Sequence, residues 1–258
     1  MVSKMAEYAR DYTIDELVIA TLSRQLKDGE VVAHGVASII PYFACYLARL
    51  THAPNMVHLS LVGADAEPSK IFPSTVNPRI AERSTYYVTL PEVFDLAQRG
   101  KIDVMFFRGG IQIDKEGDIN LSLIGSYERP KVRFPGGAGT SVLCHTVKRI
   151  LMWVTKHNKR SFVEKVDFIT ISGHLPEVKK RFDKLVTNLC ILNFDKKSGS
   201  MKLFSLHPGL TKEDVINNTG FDLIIPEVVP ETEPPTIEQV KLLREKLDPQ
   251  GLRKIEFM

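Results

Sequence analysis

This sequence has few cysteines, little excess of charge of either sign and no long apolar run. The three cysteines, Cys45, Cys144 and Cys190, lie far apart and show no C-x-x-C spacing. They predict neither a disulfide framework nor a metal site, and they suit a reducing cytoplasm. The most apolar stretch, 36–50, is too short to span a bilayer, and the charged start of the chain is unlike a signal peptide. We therefore expect a cytoplasmic protein outside the membrane.

The charge balance argues against nucleic acid as a partner. Basic residues exceed acidic ones by a formal charge of only +3 over 258 residues, which is too little to indicate a nucleic-acid surface. The hydrophobic content of 43% is enough for one large core. We expect a single domain over 1–258, with a proline-rich linker at 230–236 before an amphipathic C-terminal helix, 237–247.

Helical and strand patterns alternate along the chain. Thr13 and Glu16 form a predicted capping box, and the apolar segment 39–50 predicts a buried helix. Strands are predicted at 56–62, 102–107, 149–155 and 166–171, and in a hairpin of 190–194 with 201–205. This alternation favours an α/β fold, an open and mostly parallel sheet flanked by helices.

Two glycine-rich segments, 109–120 and 133–140, stand out from this background. The first follows an apolar strand directly, and paired glycines there let the backbone approach a ligand and aim N–H groups at an oxyanion or phosphate. Both segments could equally be plain turns. Neither has the spacing of a phosphate-binding P-loop or of a dinucleotide fold, so ATP and NAD are disfavoured.

Around these segments the sequence resembles the β-type subunits of the family I CoA-transferases, such as that of glutaconate CoA-transferase, over nearly the whole chain. The matching stretches, in order, are 26–32, 48–54, 109–114 (Gly-Gly-Ile-Gln-Ile-Asp), 160–168, 218–223 (Asn-Thr-Gly-Phe-Asp-Leu) and 248–249. The segments 186–189 and 205–209 look more like the β-type subunit of a cholesterol ring-cleaving hydrolase, which is built on the same fold.

The resemblance implies a CoA-transferase/NagB-like fold and a heteromeric enzyme. The partner would be an α-type subunit, in an αβ heterodimer or an α2β2 assembly, with the active site at the subunit interface. The substrate would be a CoA thioester carrying a second carboxylate or keto group. No cofactor is expected beyond the coenzyme A of the substrate.

The sequence departs from the family at the nucleophile. The transferases carry a glutamate two residues before a glycine, and that carboxylate attacks the thioester. Aligned on Ala53-Pro54 and Gly63, the position holds Leu61, which has no nucleophilic atom. The catalytic residue is therefore left unknown, with Glu67, His34 and His207 as weak candidates.

The expected substrate-binding residues belong mostly to the glycine segments. They are Gly63, Gly109, Gly110, Gln112, Arg133, Gly136, Gly137 and Gly139. Gln112, Asp114 and Asn120 are expected to shape the first segment through side-chain bonds to the backbone. Arg133 could bind a carboxylate or phosphate bidentately, or be an ordinary surface arginine. Cys144 and His145 are chain neighbours that point apart, so a Cys–His dyad is not expected.

Three functions remain open at this stage. The first is hydrolysis or C–C cleavage of an acyl-CoA, with the carboxylate supplied by the α subunit. The second is true CoA transfer, with a carboxylate from the partner or from Glu67. The third is a non-catalytic subunit that only stabilises its partner.

Overall fold

The computed structural model describes residues 7–195 and 197–258. In chain order its α-helices are α1 Ile14–Ser23, α2 Ile39–Thr51, α3 Leu90–Gln98, α4 Thr140–Thr146, α5 Pro176–Lys179, α6 Lys212–Asn218 and α7 Ile237–Lys241. Its strands are β1 Val31–His34, β2 Val57–Leu59, β3 Gly63–Ala64, β4 Tyr86–Tyr87, β5 Val104–Arg108, β6 Gln112–Ile113, β7 Ile119–Asn120, β8 Leu123–Gly125, β9 Pro130–Arg133, β10 Arg149–Val154, β11 Phe182–Thr187, β12 Cys190–Phe194 and β13 Met201–Leu206.

The chain forms two compact units, 1–90 with 233–258 and 91–232. The second boundary falls inside the predicted linker, 230–236. The expected single domain over 1–258 stays a prediction, and each unit is described by itself. Within the described part of the chain, no helix is long and apolar enough to cross a membrane.

The first unit is built around a β–α–β element. β1 and β2 pair in parallel, with Val32 opposite His58, and the buried helix α2 connects them. After a turn, β3 pairs antiparallel with β2, and β4 with β3. Because α2 leaves the carboxyl end of β1 and ends just before β2 begins, its last turns lie at the amino edge of this sheet.

Buried ion pairs join the two ends of the first unit. The Thr13 N–H donates to Glu16 Oε2 at 2.9 Å, as the predicted capping box requires. The Arg253 guanidinium, 6% exposed, lies 2.7 Å from Asp15, 2.8 Å from Glu16 and 2.9 Å from Asp248. Burial raises the pKa of Glu16, but hydrogen bonds from Arg244 and Thr13 and the charge of Arg253 outweigh it, so the pKa is lowered overall.

In the second unit five strands lie side by side in a sheet, in the order β13-β12-β11-β10-β5. β10 pairs in parallel with β5 and β11, whereas β11, β12 and β13 pair antiparallel. Two small hairpins, β6–β7 and β8–β9, lie outside this sheet. The predicted α/β class is confirmed, as are the strands near 102–107 and 149–155 and the hairpin of 190–194 with 201–205.

Two sequence expectations differ from the structure. The predicted strand at 166–171 is absent: the Thr170 and Ile171 N–H groups both donate to the Ile119 carbonyl, so the segment joins the loops rather than a sheet. β11, which the sequence did not predict, pairs with β10 instead. The C-terminal helix lies over 237–247 as expected, but it changes from α7 to π-helical geometry at Leu242.

Candidate functional site

The structure brings both glycine segments onto one short piece of backbone, residues 120–122. The Ile111 N–H donates to the Asn120 carbonyl at 2.8 Å, and the Gly136 N–H donates to the Leu121 carbonyl at 3.1 Å. The two donors, Ile111 and Gly136, are 25 positions apart along the chain. Their shared anchor makes them neighbours, as a single binding site would require.

Residues 136–139, within the second glycine segment, are called the anion loop below. Gly136 has φ +89° and Ala138 has φ +44°, so left-handed residues alternate with others. Such alternation is typical of backbone turns whose successive N–H groups face one side, as in anion-binding concavities. The N–H groups of Gly137, Ala138 and Gly139 have no acceptor anywhere in the described chain. Since the loop is half-buried to exposed, these donors are available to a ligand.

Two glycines of the anion loop are required by close packing. A Cβ on Gly137 would lie 2.7 Å from Thr170 Cγ2, and one on Gly139 would lie 2.7 Å from Phe94 Cζ. Both distances are shorter than a carbon–carbon contact allows. A side chain at either position therefore requires the loop or the contacted side chain to shift.

The first glycine segment has a more structural character. The Gly109 N–H is used by the Trp153 carbonyl at 3.0 Å, and a Cβ there would collide with Val154. Gly110 has φ +80°, and a Cβ would lie 2.7 Å from the Asn120 carbonyl oxygen. Both glycines let this segment pack, and the Gly110 N–H also has no acceptor among the described residues.

Gln112, Asp114 and Asn120 shape this segment, as the sequence predicted. Asn120 Nδ2 donates to Gln112 Oε1 at 2.8 Å, and Asn120 Oδ1 accepts from the Ser122 N–H at 2.9 Å. Gln112 Oε1 also accepts the Asp167 N–H at 2.9 Å. Asp114 Oδ1 accepts the Asp118 N–H at 3.0 Å, and burial raises the pKa of Asp114. These side chains are committed to the backbone, so a direct substrate contact by Gln112 stays a prediction.

Leu61 lies in the turn that joins β2 to β3, half-buried. Ser60 Oγ closes this turn: it accepts the Gly63 N–H at 3.1 Å and donates to the Gly63 carbonyl at 2.9 Å. Gly63 is buried there, and a Cβ on it would collide with Ser84. The turn therefore displays a leucine where the resemblance would put a glutamate.

The nearby carboxylates are positioned differently from a free nucleophile. Asp65 Oδ1 accepts the His58 N–H at 2.9 Å and lies 3.1 Å from Arg49. Glu67 is exposed, and β3 leads away from the Ser60–Gly63 turn toward it. The Glu67 N–H donates to the Glu82 carbonyl at 2.9 Å.

His34 ends β1 and is fully buried. Its Nδ1 donates to the Gly35 carbonyl at 3.0 Å, and its ring centroid lies 5.0 Å from that of buried His58. Neither Nε2 has a partner within residues 7–195 and 197–258. Burial lowers the pKa of His34 to about 4, and burial together with the charges of His34 and Arg49 holds the pKa of His58 well below its ordinary value. Both rings are neutral at physiological pH.

His207 is a satisfied core residue. Its Nε2 donates to the Thr187 carbonyl at 2.8 Å and its Nδ1 accepts from the Thr232 hydroxyl at 3.0 Å. Burial lowers its pKa to about 4. His157, which the sequence did not single out, is bonded on both nitrogens to Thr187 and Thr219. With both nitrogens occupied, neither imidazole is placed for chemistry.

Arg133, Cys144 and His145 each have contacts of their own. The Arg133 guanidinium lies 5.3 Å from the centroid of exposed Tyr127. Cys144 is buried, its Sγ donates to the Ser141 carbonyl, and burial raises its pKa to about 11. His145 faces Glu177 at 4.0 Å. The chain neighbours point apart, as expected.

Thr170 is the anchoring residue that sequence reasoning missed. Its hydroxyl accepts the Leu121 N–H at 3.0 Å and bonds to Ser122 Oγ at 2.8 Å, and its methyl group packs against Gly137. Because the sequence predicted a strand at 166–171, Thr170 was not expected to anchor a loop. No cluster of metal-ligating side chains occurs in the part of the chain that the structure describes.

Comparison with known proteins defines the family. The Coenzyme A transferase family matches residues 16–218. The chain belongs to the coenzyme A transferase family. The resemblance drawn from the sequence motifs is confirmed, and the chain corresponds to the β-type subunits of this family.

Three relatives span different chemistries. The β-type subunit of 3-oxoadipate CoA-transferase from Pseudomonas knackmussii is 35% identical, over 90% of this chain and 92% of the relative. The cholesterol ring-cleaving hydrolase IpdB subunit from Rhodococcus jostii is 33% identical, over 88% and 89%. A chain from the crystal structure of the decarboxylase AibA/AibB is 31% identical with a TM-score of 0.86, covering 95% of this chain and 98% of that one. Family membership is therefore compatible with transfer, hydrolysis and decarboxylation.

Proposed function

We propose that this chain is the β-type subunit of a heteromeric enzyme that hydrolyses, or cleaves a C–C bond in, an acyl-CoA carrying a second carboxylate or keto group. An α-type subunit completes the active site and supplies the acting carboxylate. The chain itself provides the anion loop. Coenzyme A enters only as part of the substrate.

Leu61 is the observation that carries this proposal. Covalent transfer needs a carboxylate that can attack the thioester carbonyl, and the Ser60–Gly63 turn presents an aliphatic side chain instead. Asp65 cannot replace it without giving up its bonds to Arg49 and the His58 N–H. Since this turn holds no carboxylate, a glutamyl intermediate does not form on it.

The anion loop suits the charge that develops in hydrolysis or C–C cleavage. When water adds to a thioester carbonyl, or when a bond next to it breaks, negative charge builds on the carbonyl oxygen. The unpaired N–H groups of Gly137, Ala138 and Gly139 are donors of the kind that stabilise such an oxyanion. The partner's carboxylate would activate the water or remove the proton.

The test is turnover by the co-purified α and β subunits on a panel of carboxylated and keto acyl-CoAs, with and without acetate. We expect free CoA or a ring-opened product without any acceptor. Turnover that requires acetate, with the CoA moving onto it, would refute the proposal.

The Leu61→Glu variant sharpens this test, with Leu61→Gln as its matched control. If Leu61 occupies the nucleophile position, the glutamate variant should trap CoA covalently on the β subunit, visible by intact-mass spectrometry, and the glutamine variant should not. A wild-type subunit that itself carries CoA during turnover would contradict the argument.

True CoA transfer is the second candidate, favoured by the 35% identity to the β-type subunit of 3-oxoadipate CoA-transferase. In that case the carboxylate comes from the partner or from Glu67. Acceptor-dependent transfer that disappears in Glu67→Gln would identify Glu67 as the source. A purely stabilising subunit, the third possibility, predicts that substitution of Gly137 leaves turnover intact.

A further inference from the structure

A second concave site lies within the first unit, apart from the Ser60–Gly63 turn. It is a cleft of about 490 Å³ between the last turns of α2, the loop 67–71 and the segment 246–250. This volume is within the range of small-molecule sites, roughly 300–1,000 Å³. Because the last turns of α2 lie at the amino edge of the sheet, the cleft is at the edge opposite the carboxyl ends of β1 and β2, where α/β enzymes place their chemistry.

The loop wall of the cleft is held in place before any ligand arrives. The Tyr46 hydroxyl donates to the Ala66 carbonyl, and Arg49 is ion-paired with Asp65 at 3.1 Å. The Ser69 hydroxyl donates to a carboxylate oxygen of Glu82 at 2.7 Å. A site with fixed walls binds at a lower entropic cost than one that must fold around its ligand.

The C-terminal wall is fixed by the buried ion pairs of the first unit. Asp248, inside this wall, accepts the Leu252 N–H at 2.7 Å and bonds to Arg253 Nη1 at 2.9 Å. The Arg253 side chain is only 6% exposed. This wall is therefore tied to the core and keeps Lys246 and Leu247 at the cleft.

The charge of the lining favours an anion. Arg49, Lys70 and Lys246 face a single acidic side chain, Glu67. Lys70 and Lys246 are exposed, and neither has a carboxylate within 4.0 Å in the described chain. The carboxyl end of α2 carries partial negative charge, which disfavours an anion nearby. The Ala48 carbonyl at this end, however, already accepts hydrogen bonds from the N–H groups of His52 and Ala53.

We propose that this cleft binds a phosphate-bearing organic anion of nucleotide size. Lysine ammonium groups bind phosphate as point charges, and Leu50, Ile71 and Leu247 supply apolar surface for the organic part of the ligand. Two sources share this chemistry: a free nucleotide that acts as an effector, or the 3′-phosphoadenosine end of the acyl-CoA substrate. The second source rests on the proposed function and the first does not.

The test measures binding of adenosine 3′,5′-bisphosphate to the α/β complex by calorimetry, together with steady-state kinetics on an acyl-CoA. The double variant Lys70→Gln/Lys246→Gln should weaken binding about tenfold or more. The matched control is Lys241→Gln/Lys254→Gln, which removes the same charge from exposed positions of the C-terminal segment outside the cleft. It should bind like the wild type.

The Glu67→Gln variant gives an effect of opposite sign, because it removes the only acidic side chain that lines the cleft in the described chain. We expect tighter binding of the bisphosphate, by about threefold, and a loss of affinity as salt is added. Thermal melting of each variant checks that the fold is intact, and these exposed positions make misfolding easy to separate from lost binding.

Kinetics separate the two sources. A KM for acyl-CoA that rises in the Lys70/Lys246 variant, with kcat unchanged, identifies the cleft as the site for the phosphoadenosine end of the substrate. An unchanged KM with lost bisphosphate binding identifies a free-nucleotide site. Bisphosphate that fails to bind, or that binds equally to the double variant and its control, overturns the proposal whatever the reaction of the enzyme.

Discussion

Arg253 in the first unit and the anion loop in the second each bring several strong hydrogen-bonding groups together. The Arg253 guanidinium is surrounded by three carboxylates at 2.7 to 2.9 Å and is nearly inaccessible to water. The loop instead presents three consecutive N–H groups that have no acceptor in the described structure. The hydrogen bonds of Arg253 are complete within the chain, whereas those of the loop N–H groups are completed only by a bound group.

The difference separates polar groups that stabilise the fold from those that can act on a ligand. A buried charge without partners costs several kcal/mol, so the Arg253 network must be closed for the first unit to fold. A half-exposed backbone N–H can bond to water until a ligand replaces it. The capacity to act on a ligand therefore lies with the loop, although the charged residues are far more conspicuous in the sequence.

The largest expected effect concerns acid, because both units contain buried neutral histidines. Burial lowers the pKa of His34 and His207 to about 4 and of His157 to about 3, and that of His58 is also well below its ordinary value. Unfolding then takes up about four protons as the pH falls from 6.5 toward 4, where the unfolded chain is protonated and the folded chain is not. Stability should be full above pH 6.5 and fall by roughly 5 kcal/mol per pH unit below it.

Urea midpoints at pH 7.5, 6.0 and 5.0 check this expectation. His207→Asn should reduce the proton uptake by about one. A urea midpoint that stays constant down to pH 5 would contradict this expectation. It would mean that these histidines bind protons equally well in the folded and in the unfolded chain.

The next effect tests whether the Arg253 network serves stability alone. Arg253→Met leaves Asp15 and Asp248 without their cation and Glu16 with Arg244 alone, and we expect a loss of about 3–5 kcal/mol in the free energy of unfolding. Urea denaturation measures this. Arg244→Met is the control, since Arg244 is 36% exposed and should lose less. The kcat per folded molecule should be unchanged in both, and a selective loss of kcat would break the comparison.

The anion loop should show the reverse pattern. Gly137→Ala places a methyl group against Thr170 and shifts the loop N–H groups, so kcat should fall about 100-fold, as for loss of one oxyanion donor. The free energy of unfolding should change by less than about 2 kcal/mol. Gly35→Ala is the control, because a Cβ there meets no atom within 4 Å. Unchanged kcat in Gly137→Ala would support a non-catalytic subunit.

The smallest effect concerns Arg133, whose guanidinium lies over exposed Tyr127. Losing this contact in Arg133→Gln should cost at most about 1 kcal/mol of stability. If Arg133 instead binds the substrate's second carboxylate, KM should rise about tenfold or more while kcat is retained. Comparing KM for acyl-CoAs with and without that carboxylate distinguishes the two roles.

Local patterns predicted much of the fold. The Thr13–Glu16 capping box, the buried helix near 39–50 and the hairpin after Cys190 depend on residues close together in the chain, and each is confirmed. The prediction of a strand at 166–171 was wrong. The apolar residues of this segment suit a strand, yet its backbone hydrogen bonds go to Ile119. Whether such a segment forms a strand depends on the availability of a neighbour, which the segment's own residues do not specify.

By itself, the sequence determined the family, the α/β class and the two glycine segments, because motifs and periodicity are written in neighbouring residues. Only the tertiary structure decided which polar groups are already paired. Glu16 meets Arg244 across 228 positions, Gln112 meets Asp167 across 55, and Thr170 supports the loop through Leu121 across 49. Hydrogen bonds act over about 3 Å of space, so partners distant in the chain settle which donors remain free for a substrate.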